Sequence, residues 1–503
     1  MNPRALVERR YVGSVIALVA GTLFALSFAP VNLWPLAILM PALLVWLWEG
    51  AAPKRAGWLG FWFNVGTFSI GTYWLYISLR LIGGAPVVLA LLLMAALVAI
   101  MGLYHFLLGW LVAKYFPARG ALRWMIGIPG AWLLIEWWRS WFLSGFGWLA
   151  VGYSQTDTWL GNLAPVIGQF GIALAALVVA GGLVTLVLGS KRERVVAASV
   201  IVGIWGAAFA FGRVTWTQSF GRPITVAVIQ GAIPQNDKWL AENLKFTLDL
   251  YEKMSREAYG TDLIVWPESA APVLFNDVVP YFDEVYSEAS AHGSALVTGA
   301  IREDRGLYYN SVLALEPGAE GPGWYNKHHL VPFAEFFPVP HFVREWLRLM
   351  NLPYSDFTRG GANQEPLVAA GQRIAAGVCY EDAYGSSQLH ALETATLLVN
   401  VTNDAWFGKS SARYQHLQIT RMRAMEADRP MIRAANNGVS AVIDGRGNVL
   451  VRAPEYEANV MRATVQPRTG HTPYSWTGNW PSVCLALVFG LWSAYVRRRG
   501  ISR

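Results

Sequence analysis

Long apolar runs fill most of the first 212 residues and return once near the C-terminus. They cover residues 12–28, 31–48, 57–79, 86–112, 124–142, 163–189, 195–212 and 480–496. Each is near or above the roughly 17–20 apolar residues with which a helix crosses a bilayer. No small-residue cleavage site stands out after the first run, so we interpret it as a retained span and predict about eight transmembrane helices.

Between about 221 and 470 the pattern changes to short alternating strands, amphipathic helices and Gly/Pro turns. The predicted strands are 224–230, 263–266, 295–300, 308–315, 374–379, 397–400 and 439–443, and the predicted helices are 240–258, 281–291 and 414–427. Because strands and helices alternate, we expect a layered α/β domain with a mixed sheet covered by helices. The predicted organisation is residues 1–220 with seven spans, 221–470 as a separate domain, and 471–503 with the last span and a basic tail.

Composition supports a membrane protein and gives its orientation. Hydrophobic residues make up 54% of the chain and charged residues 15%, which is too apolar for a purely soluble protein. The net charge of +7 arises from Lys and Arg at the ends of apolar runs, such as Lys54-Arg55 and Arg497-Arg498-Arg499. Every second loop is basic, which predicts cytoplasmic termini and places residues 221–470 outside. This distribution shows no nucleic-acid footprint.

Two ionisable residues lie inside the fifth apolar run. Glu136 and Arg139 are three residues apart, a spacing that lets them pair on one face of a helix. A charge pair inside a membrane is costly enough to indicate function. A structural pair near the interface fits the sequence equally well.

Three reactive side chains each follow a strand-like segment in the 221–470 domain. Glu268 follows the apolar run 263–266, Lys327 follows Tyr325-Asn326, and Cys379 ends the apolar run that begins at Arg373. A carboxylate, an ammonium and a thiol are the groups needed for cysteine acyl transfer. The chain has two cysteines, Cys379 and Cys484, without a plausible disulfide between them; the plain alternative for Cys379 is an inert buried thiol.

Each group has a role in that chemistry. Glu268 would act as general base and then acid, Lys327 would stabilise the oxyanion, and Cys379 would carry the acyl group. An adjacent ammonium would also lower the pKa of the thiol. A helix beginning after Cys379 would add backbone donors, with the amide of Tyr380 the obvious one.

The order and spacing of Glu268, Lys327 and Cys379 resemble the Glu-Lys-Cys triad of the nitrilase, or carbon-nitrogen hydrolase, superfamily. Eight residues beyond the lysine, Glu335 in Pro332-Phe333-Ala334-Glu335 matches the second glutamate, which in that superfamily orients the lysine. The resemblance implies an α-β-β-α layered sandwich.

With its membrane spans, the whole chain resembles the bacterial apolipoprotein N-acyltransferase family. The segments that carry this resemblance are Phe28-Ala29-Pro30 with Leu33 to Ala37, Gly152 to Gln155, Asn403 to Gly408, Arg429-Pro430 and Arg433 to Gly438. It implies an inner-membrane enzyme with a periplasmic catalytic domain, a phospholipid acyl donor (phosphatidylethanolamine), a thioester on Cys379 and the diacylglyceryl-cysteine of an apolipoprotein as acceptor. It also implies that Trp239, Tyr380 and Glu381 line or support the pocket. Ordinary packing for Trp239 and a salt bridge for Glu381 are the plain alternatives.

The remaining expectations concern partners and rivals. We expect a monomer without a cofactor. We also expect no metal: the adjacent rings of His328 and His329 point apart, and no carboxylate spacing completes a ligand set with them or with His416. We expect the pocket of Cys379 to open towards the membrane between loops carrying Phe333, Phe336, Phe337 and Trp346; ordinary domain core is their alternative.

Two other functions stay open at this stage. The first is a membrane-anchored nitrilase-type amidase that hydrolyses a small amide with the same triad. About eight spans exceed what an anchor needs, which argues for entry of lipid from the bilayer. The second is a transporter with a large external domain, although the ionisable residues that transporters place in their spans are few here.

Overall fold

The computed structural model describes residues 10–332, 334–336 and 357–500. Two compact units divide the chain. The first comprises Met1–Val214, Lys409–Gln418 and Thr477–Arg503, and the second comprises Thr215–Gly408 and Ile419–Trp476. Of the aromatic residues expected beside the pocket, Phe333, Phe337 and Trp346 lie outside the described residues.

The described α-helices are numbered in chain order. They are α1 Arg10–Ala25, α2 Leu36–Leu47, α3 Pro53–Gly71, α4 Trp74–Ile77, α5 Val87–Tyr115, α6 Ile128–Trp141, α7 Ala164–Leu188, α8 Lys191–Phe211, α9 Gln235–Lys238, α10 Ala241–Ala258, α11 Val279–Ala291, α12 Leu389–Leu392, α13 Ala412–Ala427, α14 Pro473–Thr477 and α15 Trp480–Arg498. Two π-helical segments are also present: Ser78–Ile82 follows α4, and Leu122–Gly127 precedes α6.

Apolar helices build the first unit, and each of the eight apolar runs contains one. Within the described ranges, four helical segments are long and apolar enough to cross a membrane: Val87–Tyr115, Trp159–Leu188, Lys191–Phe211 and Trp480–Arg498. The apolar helices at Tyr11–Ala25 and Leu36–Leu47 are shorter. The chain therefore has several membrane-type helices, and the number of eight crossings stays a prediction.

Helices α1 and α3 pack with their backbones in close approach. A Cβ atom on Gly21 of α1 would lie 1.7 Å from the carbonyl oxygen of Phe63, and one on Gly66 of α3 would lie 2.1 Å from that of Leu18. Side chains at these two positions would therefore collide with the facing helix. The hydrophobic driving force between helices in lipid is weak, so close packing at small residues stabilises such crossings instead.

Glu136 and Arg139 form the predicted pair on α6. Arg139 Nη2 lies 3.9 Å from Glu136 Oε1, and both side chains are buried. Glu136 Oε1 accepts a hydrogen bond from the backbone of Val151, and Arg139 Nη1 donates to the carbonyls of Phe146 and Trp148. The pair thus fixes the loop that follows α6, which supports the structural interpretation.

Fourteen described strands belong to the second unit. They are β1 Thr217–Ser219, β2 Ile224–Gln230, β3 Leu263–Val265, β4 Ala295–Asp304, β5 Leu307–Leu315, β6 Gly323–Asn326, β7 Leu367–Ala369, β8 Gln372–Val378, β9 Leu397–Thr402, β10 Met431–Ala435, β11 Ala441–Ile443, β12 Val449–Arg452, β13 Asn459–Val465 and β14 Arg468–Gly470. All seven predicted strands are present, within a few residues of their predicted bounds.

Two mixed six-stranded sheets are formed, in agreement with the α-β-β-α sandwich that the resemblance implied, whereas the strand pattern alone predicted one mixed sheet. One has the order β13-β2-β3-β4-β5-β6 and the other β12-β11-β10-β9-β8-β7, while β1 pairs with β14. One core cluster contains apolar residues of both sheets, including Val228 of β2 and Val399 of β9. A second core joins Ala227 and Ile264, on the opposite face of the first sheet, to Met254 of α10 and Val285 of α11. The layers are therefore α10 and α11, the first sheet and the second sheet. Helix α13 lies on the far side of the second sheet, where Arg433 of β10 donates to Thr420 of α13.

This topology positions the three candidate catalytic residues. Glu268 follows β3 after two residues, and Lys327 follows β6 directly, so both lie at ends of strands in the first sheet. Cys379 follows β8 in the second sheet. Residues on both inner faces meet in one core, so side chains at these strand ends can converge on one site.

Candidate active site

Cys379 stands where β8 ends and the chain turns sharply. Its φ of +51° is in the left-handed region, which a residue with a side chain occupies only when its surroundings impose it. The predicted helix after the cysteine is a short 3₁₀ helix, Cys379–Ala383. Asn400 Nδ2, on the neighbouring strand β9, donates to the Cys379 carbonyl at 3.3 Å. Cys379 is thereby held at a fixed, strained turn and remains half-buried.

Lys327 is buried between two carboxylates. Its Nζ donates to Glu335 Oε1 at 2.8 Å and lies 3.8 Å from Glu268 Oε1. Glu335 is held in turn by the backbone amide of Val331, which donates to its other oxygen at 2.8 Å. The structure therefore brings Glu268, Lys327 and Glu335 together, with Glu335 closest to the lysine.

Asn310, which the sequence analysis did not select, completes this cluster. Its Nδ2 donates to Glu268 Oε1 and to Glu335 Oε1, both at 2.8 Å, and its backbone carbonyl accepts from the Lys327 amide at 2.8 Å. One side-chain amide thus fixes the spacing of both carboxylates around the lysine. The available signal was the polar pair Asn310-Ser311 inside an otherwise apolar predicted strand.

The electrostatics of the site keep the lysine charged and the thiol neutral. Burial opposes the charge of Lys327, but the carboxylates of Glu335 and Glu268 outweigh it and raise the lysine pKa above its ordinary value. Burial, followed by the negative charge of Glu268, raises the pKa of the Cys379 thiol, and the opposing effect of Lys327 is smaller. The ammonium of Lys327 does lower the thiol pKa, as expected, but burial and the charge of Glu268 outweigh it, so the pKa is raised overall.

Glu381 connects the cysteine turn to the loop that follows the lysine. Its carboxylate accepts backbone hydrogen bonds from Val378 at 2.8 Å, His328 at 2.7 Å and His329 at 3.1 Å, as well as the Tyr325 hydroxyl at 3.0 Å. Burial raises the pKa of Glu381, against the effect of these hydrogen bonds. Glu381 therefore acts as a buried anchor between β6 and β8, and its partners are mainly backbone amides rather than a cation.

Tyr380 and Trp239 occupy more open positions. Tyr380 is half-buried, and its hydroxyl oxygen accepts from the Tyr384 hydroxyl at 2.8 Å. Trp239 directly follows helix α9 and is 49% exposed. Its neighbour Lys238 is buried and donates from Nζ to the backbone carbonyl of Glu268 at 3.0 Å. Sequence reasoning selected the tryptophan and missed the lysine beside it.

The two histidines after Lys327 have structural contacts. His328 Nδ1 is 2.8 Å from the Gly360 carbonyl, and His329 stacks on Tyr384 with ring centroids 4.1 Å apart. Burial, followed by the positive charges of His328 and Arg359, lowers the pKa of His329 to about 4. Across the part of the chain that the structure describes, no group of three or more His, Cys, Asp or Glu residues has the arrangement of a metal site.

Among the aromatic residues expected beside the pocket, Phe336 lies within the described residues. It is half-buried, and the Arg359 guanidinium lies over its ring, 4.9 Å from the ring centroid.

Comparison with known proteins places this geometry in a class. A family model described as Carbon-nitrogen hydrolase matches residues 225–474. This range includes Glu268, Lys327, Glu335 and Cys379. A solved carbon-nitrogen hydrolase from Helicobacter pylori G27 shares 20% identity over 48% of this chain and 89% of that chain, with a TM-score of 0.36. The family model by itself assigns a carbon-nitrogen hydrolase domain to residues 225–474.

The rest of the chain narrows the assignment. A model described as Apolipoprotein N-acyltransferase N-terminal domain matches residues 20–182. Proteins named apolipoprotein N-acyltransferase are 40% identical in Methylococcus capsulatus, over 97% of both chains, and 37% identical in Photobacterium profundum, over 95% of this chain and 93% of the relative. The chain belongs to the apolipoprotein N-acyltransferase family, and its apolar helices agree with a membrane protein.

Proposed function

We propose that this protein transfers the sn-1 acyl chain of a phospholipid, through a thioester on Cys379, to the α-amino group of the diacylglyceryl-cysteine of an apolipoprotein. The observation that carries the proposal is the buried Lys327 ammonium, 2.8 Å from Glu335 and 3.8 Å from Glu268, whose charge acts on a thiol held at a strand end. The full-length similarity to proteins with this name supports the choice of substrates.

The first half-reaction forms the acyl-enzyme. As the Cys379 sulfur attacks the ester carbonyl of the phospholipid, Glu268 takes the thiol proton. The positive charge of Lys327 and the backbone amide of Tyr380 stabilise the resulting oxyanion. When the tetrahedral intermediate collapses, Glu268 returns its proton to the departing oxygen, so lysophospholipid leaves as an alcohol and the acyl chain stays on sulfur as a thioester.

The second half-reaction passes the acyl chain to the amine. The free α-amino group of the apolipoprotein attacks the thioester carbonyl, and Glu268 accepts a proton from the attacking nitrogen. Collapse of this second intermediate forms the amide and releases the sulfur, which recovers a proton from Glu268. The enzyme returns to its starting protonation, with a neutral thiol and an ionised carboxylate.

The location of the reaction is part of the proposal. Both substrates carry long acyl chains, which agrees with a chain that combines several apolar helices with the catalytic domain. We propose about eight transmembrane helices, cytoplasmic termini, a periplasmic domain over residues 221–470 in the bacterial inner membrane, and a monomeric enzyme. The alternating basic loops support this orientation.

Intact-mass measurement of the purified protein tests the proposal. After incubation with phospholipid alone, we expect a mass increase of one acyl group that hydroxylamine removes, as for a thioester. Cys379→Ala should prevent the increase, whereas the matched control Cys484→Ala, in helix α15, should retain it. A diacylglyceryl-cysteine peptide should then discharge the enzyme by gaining the acyl chain. Rapid discharge by water alone would instead indicate a hydrolase and contradict the transferase assignment.

A further inference from the structure

We propose that Lys238 is a positioning residue for Glu268 and supplies the second positive charge of the site. The proposal rests on the function proposed above, because it assigns Glu268 the role of proton carrier. Lys238 is the last residue of α9 and is 1% exposed. Its Nζ donates to the Glu268 backbone carbonyl at 3.0 Å. A contact to the backbone fixes the carboxylate-bearing residue itself and occupies neither carboxylate oxygen.

The segment that carries Lys238 is held by side-chain amides from two conspicuous sequence motifs. Asn403 Nδ2 donates to Gln235 Oε1 at 2.7 Å, at the start of α9. Asn436 brackets Ile233 from both sides, accepting from its amide at 3.1 Å and donating to its carbonyl at 2.9 Å. Asn437 Nδ2 also donates to that carbonyl, at 2.8 Å. Buried amides thus fix the backbone on which Lys238 stands.

The charge of Lys238 helps to balance the two carboxylates nearest to Lys327. Glu268 and Glu335 contribute two negative charges, and Lys327 contributes one positive charge. Lys238 supplies the second. Without it the buried cluster would contain an uncompensated carboxylate, which is costly at low dielectric and would favour protonation of Glu268, the group that must be ionised to act as base.

The other groups near α9 leave this balance unchanged. Glu268 is the ionisable neighbour whose charge acts on Lys238. Gln235 and Asn403 are neutral amides. Asp237, on the same helix, is exposed, and Asp404 is paired with Arg433 at 2.8 Å. The ammonium therefore acts mainly on Glu268.

The protonation of Lys238 gives the inference a pH signature. Burial lowers the pKa of Lys238 to about 8, although the negative charge of Glu268 opposes the shift. The charged, active form is therefore present below that pH and is lost as the pH rises through it. Arginine stays protonated across this range, so Lys238→Arg separates loss of charge from loss of the side chain.

The experiment measures single-turnover acyl-enzyme formation between pH 6 and 9 in the full-length protein, with phosphatidylethanolamine in detergent. All variants receive the same lipid, so titration of its headgroup cancels in the rate ratios. Lys238→Met keeps the length of the side chain and removes the charge, and misplacement of the proton carrier should slow acylation by about ten- to a hundredfold at pH 7. The matched control is Lys245→Met, which removes an exposed lysine of α10, and it should behave as wild type.

The pH profiles decide the question. The wild-type rate should fall above about pH 8, Lys238→Arg should extend the active range to higher pH, and Lys238→Met should be slow throughout without a further fall. Wild-type rates for Lys238→Met would overturn the proposal. Equal losses in the methionine and arginine variants would also overturn it, by pointing to packing rather than charge.

A second readout is independent of the lipid reaction. Alkylation of Cys379 by iodoacetamide, in a Cys484→Ala background, should be several-fold slower in Lys238→Met at pH 7 because Glu268 is then a poorer proton acceptor. If wild type forms no acyl-enzyme at any pH, the proposed function fails, while the alkylation rates still test Lys238. Identical alkylation in both proteins would contradict the role of Lys238 alone.

Discussion

Replacing Asn310 with leucine isolates the contribution of the amide that spaces the two carboxylates. The change removes the Nδ2 donor, which bonds Glu268 and Glu335 at 2.8 Å each, and keeps a similar side-chain volume. The Asn310 Oδ1 atom has no hydrogen-bond partner among the residues described, so its loss should be mild. The variant should therefore fold while the catalytic cluster loosens.

The two carboxylates should suffer unequally. Glu335 keeps the Lys327 ammonium and the Val331 amide, both at 2.8 Å, whereas Glu268 keeps the lysine at 3.8 Å. The loss therefore falls mainly on Glu268. A hydrogen bond to a charged group contributes about 1.5–3 kcal/mol. If that energy is lost from the transition state for acylation, the rate falls roughly 10- to 150-fold, at ~1.36 kcal/mol per decade.

Single-turnover acylation followed by intact mass gives this rate directly. The matched control is Asn276→Leu, which replaces an exposed asparagine bonded to Glu303 and should leave acylation unchanged. Asn310→Asp adds a third carboxyl group beside Lys327, and the two carboxylates already there raise the pKa of the new group. The acylation rate of this variant relative to wild type should fall as the pH rises and the new group ionises. Normal acylation by Asn310→Leu would refute the assignment of Asn310 as the spacer.

Three further predictions address other parts of the protein. Lys327→Met should form no detectable acyl-enzyme and should lower the free energy of unfolding by about 3–5 kcal/mol, because it leaves the buried carboxylate of Glu335 without its paired cation; adding Glu335→Gln should restore stability and not activity, and equal stability of the single and double variants in denaturation would contradict this. Glu381→Gln brings an amide donor against backbone N–H donors and should cost about 1–3 kcal/mol in chemical denaturation, with slower acylation; an unchanged unfolding midpoint would rule out the anchor role. A reporter fused after Arg503 should read as cytoplasmic and one inserted at the turn of Gly318 as periplasmic, and the opposite pattern would refute the orientation.

The strand-end positions of the candidate catalytic residues were predictable from sequence because their signal is local. Glu268 and Cys379 each follow a short apolar run, and strand ends can be recognised from a few consecutive residues. Glu335 required the resemblance to a known family, since its distance of eight residues from the lysine has no physical meaning in an unfolded chain. The structure places it nearest the ammonium, at 2.8 Å.

The resemblance implied two sheets, but the pairing of their short strands and the roles of the buried polar residues required the folded structure. Strands β6, β7 and β12 have only three or four residues, too few for a reliable alternating pattern, and pairing between distant strands leaves no local signal. Glu381 could be selected from its place beside Cys379, but two of its backbone partners, His328 and His329, lie on a loop more than fifty residues earlier. Burial determines such roles, and burial depends on what the rest of the chain covers.

The raised pKa of the Cys379 thiol bears on the proposed mechanism. A lysine beside a cysteine normally suggests a stable thiolate, yet here two carboxylates already share that lysine, and burial favours the neutral thiol. In the proposed mechanism the positive charge therefore stays on Lys327, and the thiolate forms only as the proton of Cys379 passes to Glu268. Such a site depends on the geometry and charge of Glu268 more than on the acidity of Cys379. This dependence gives the spacing by Asn310 and the charge of Lys238 their proposed importance, although neither side chain would touch the acyl group.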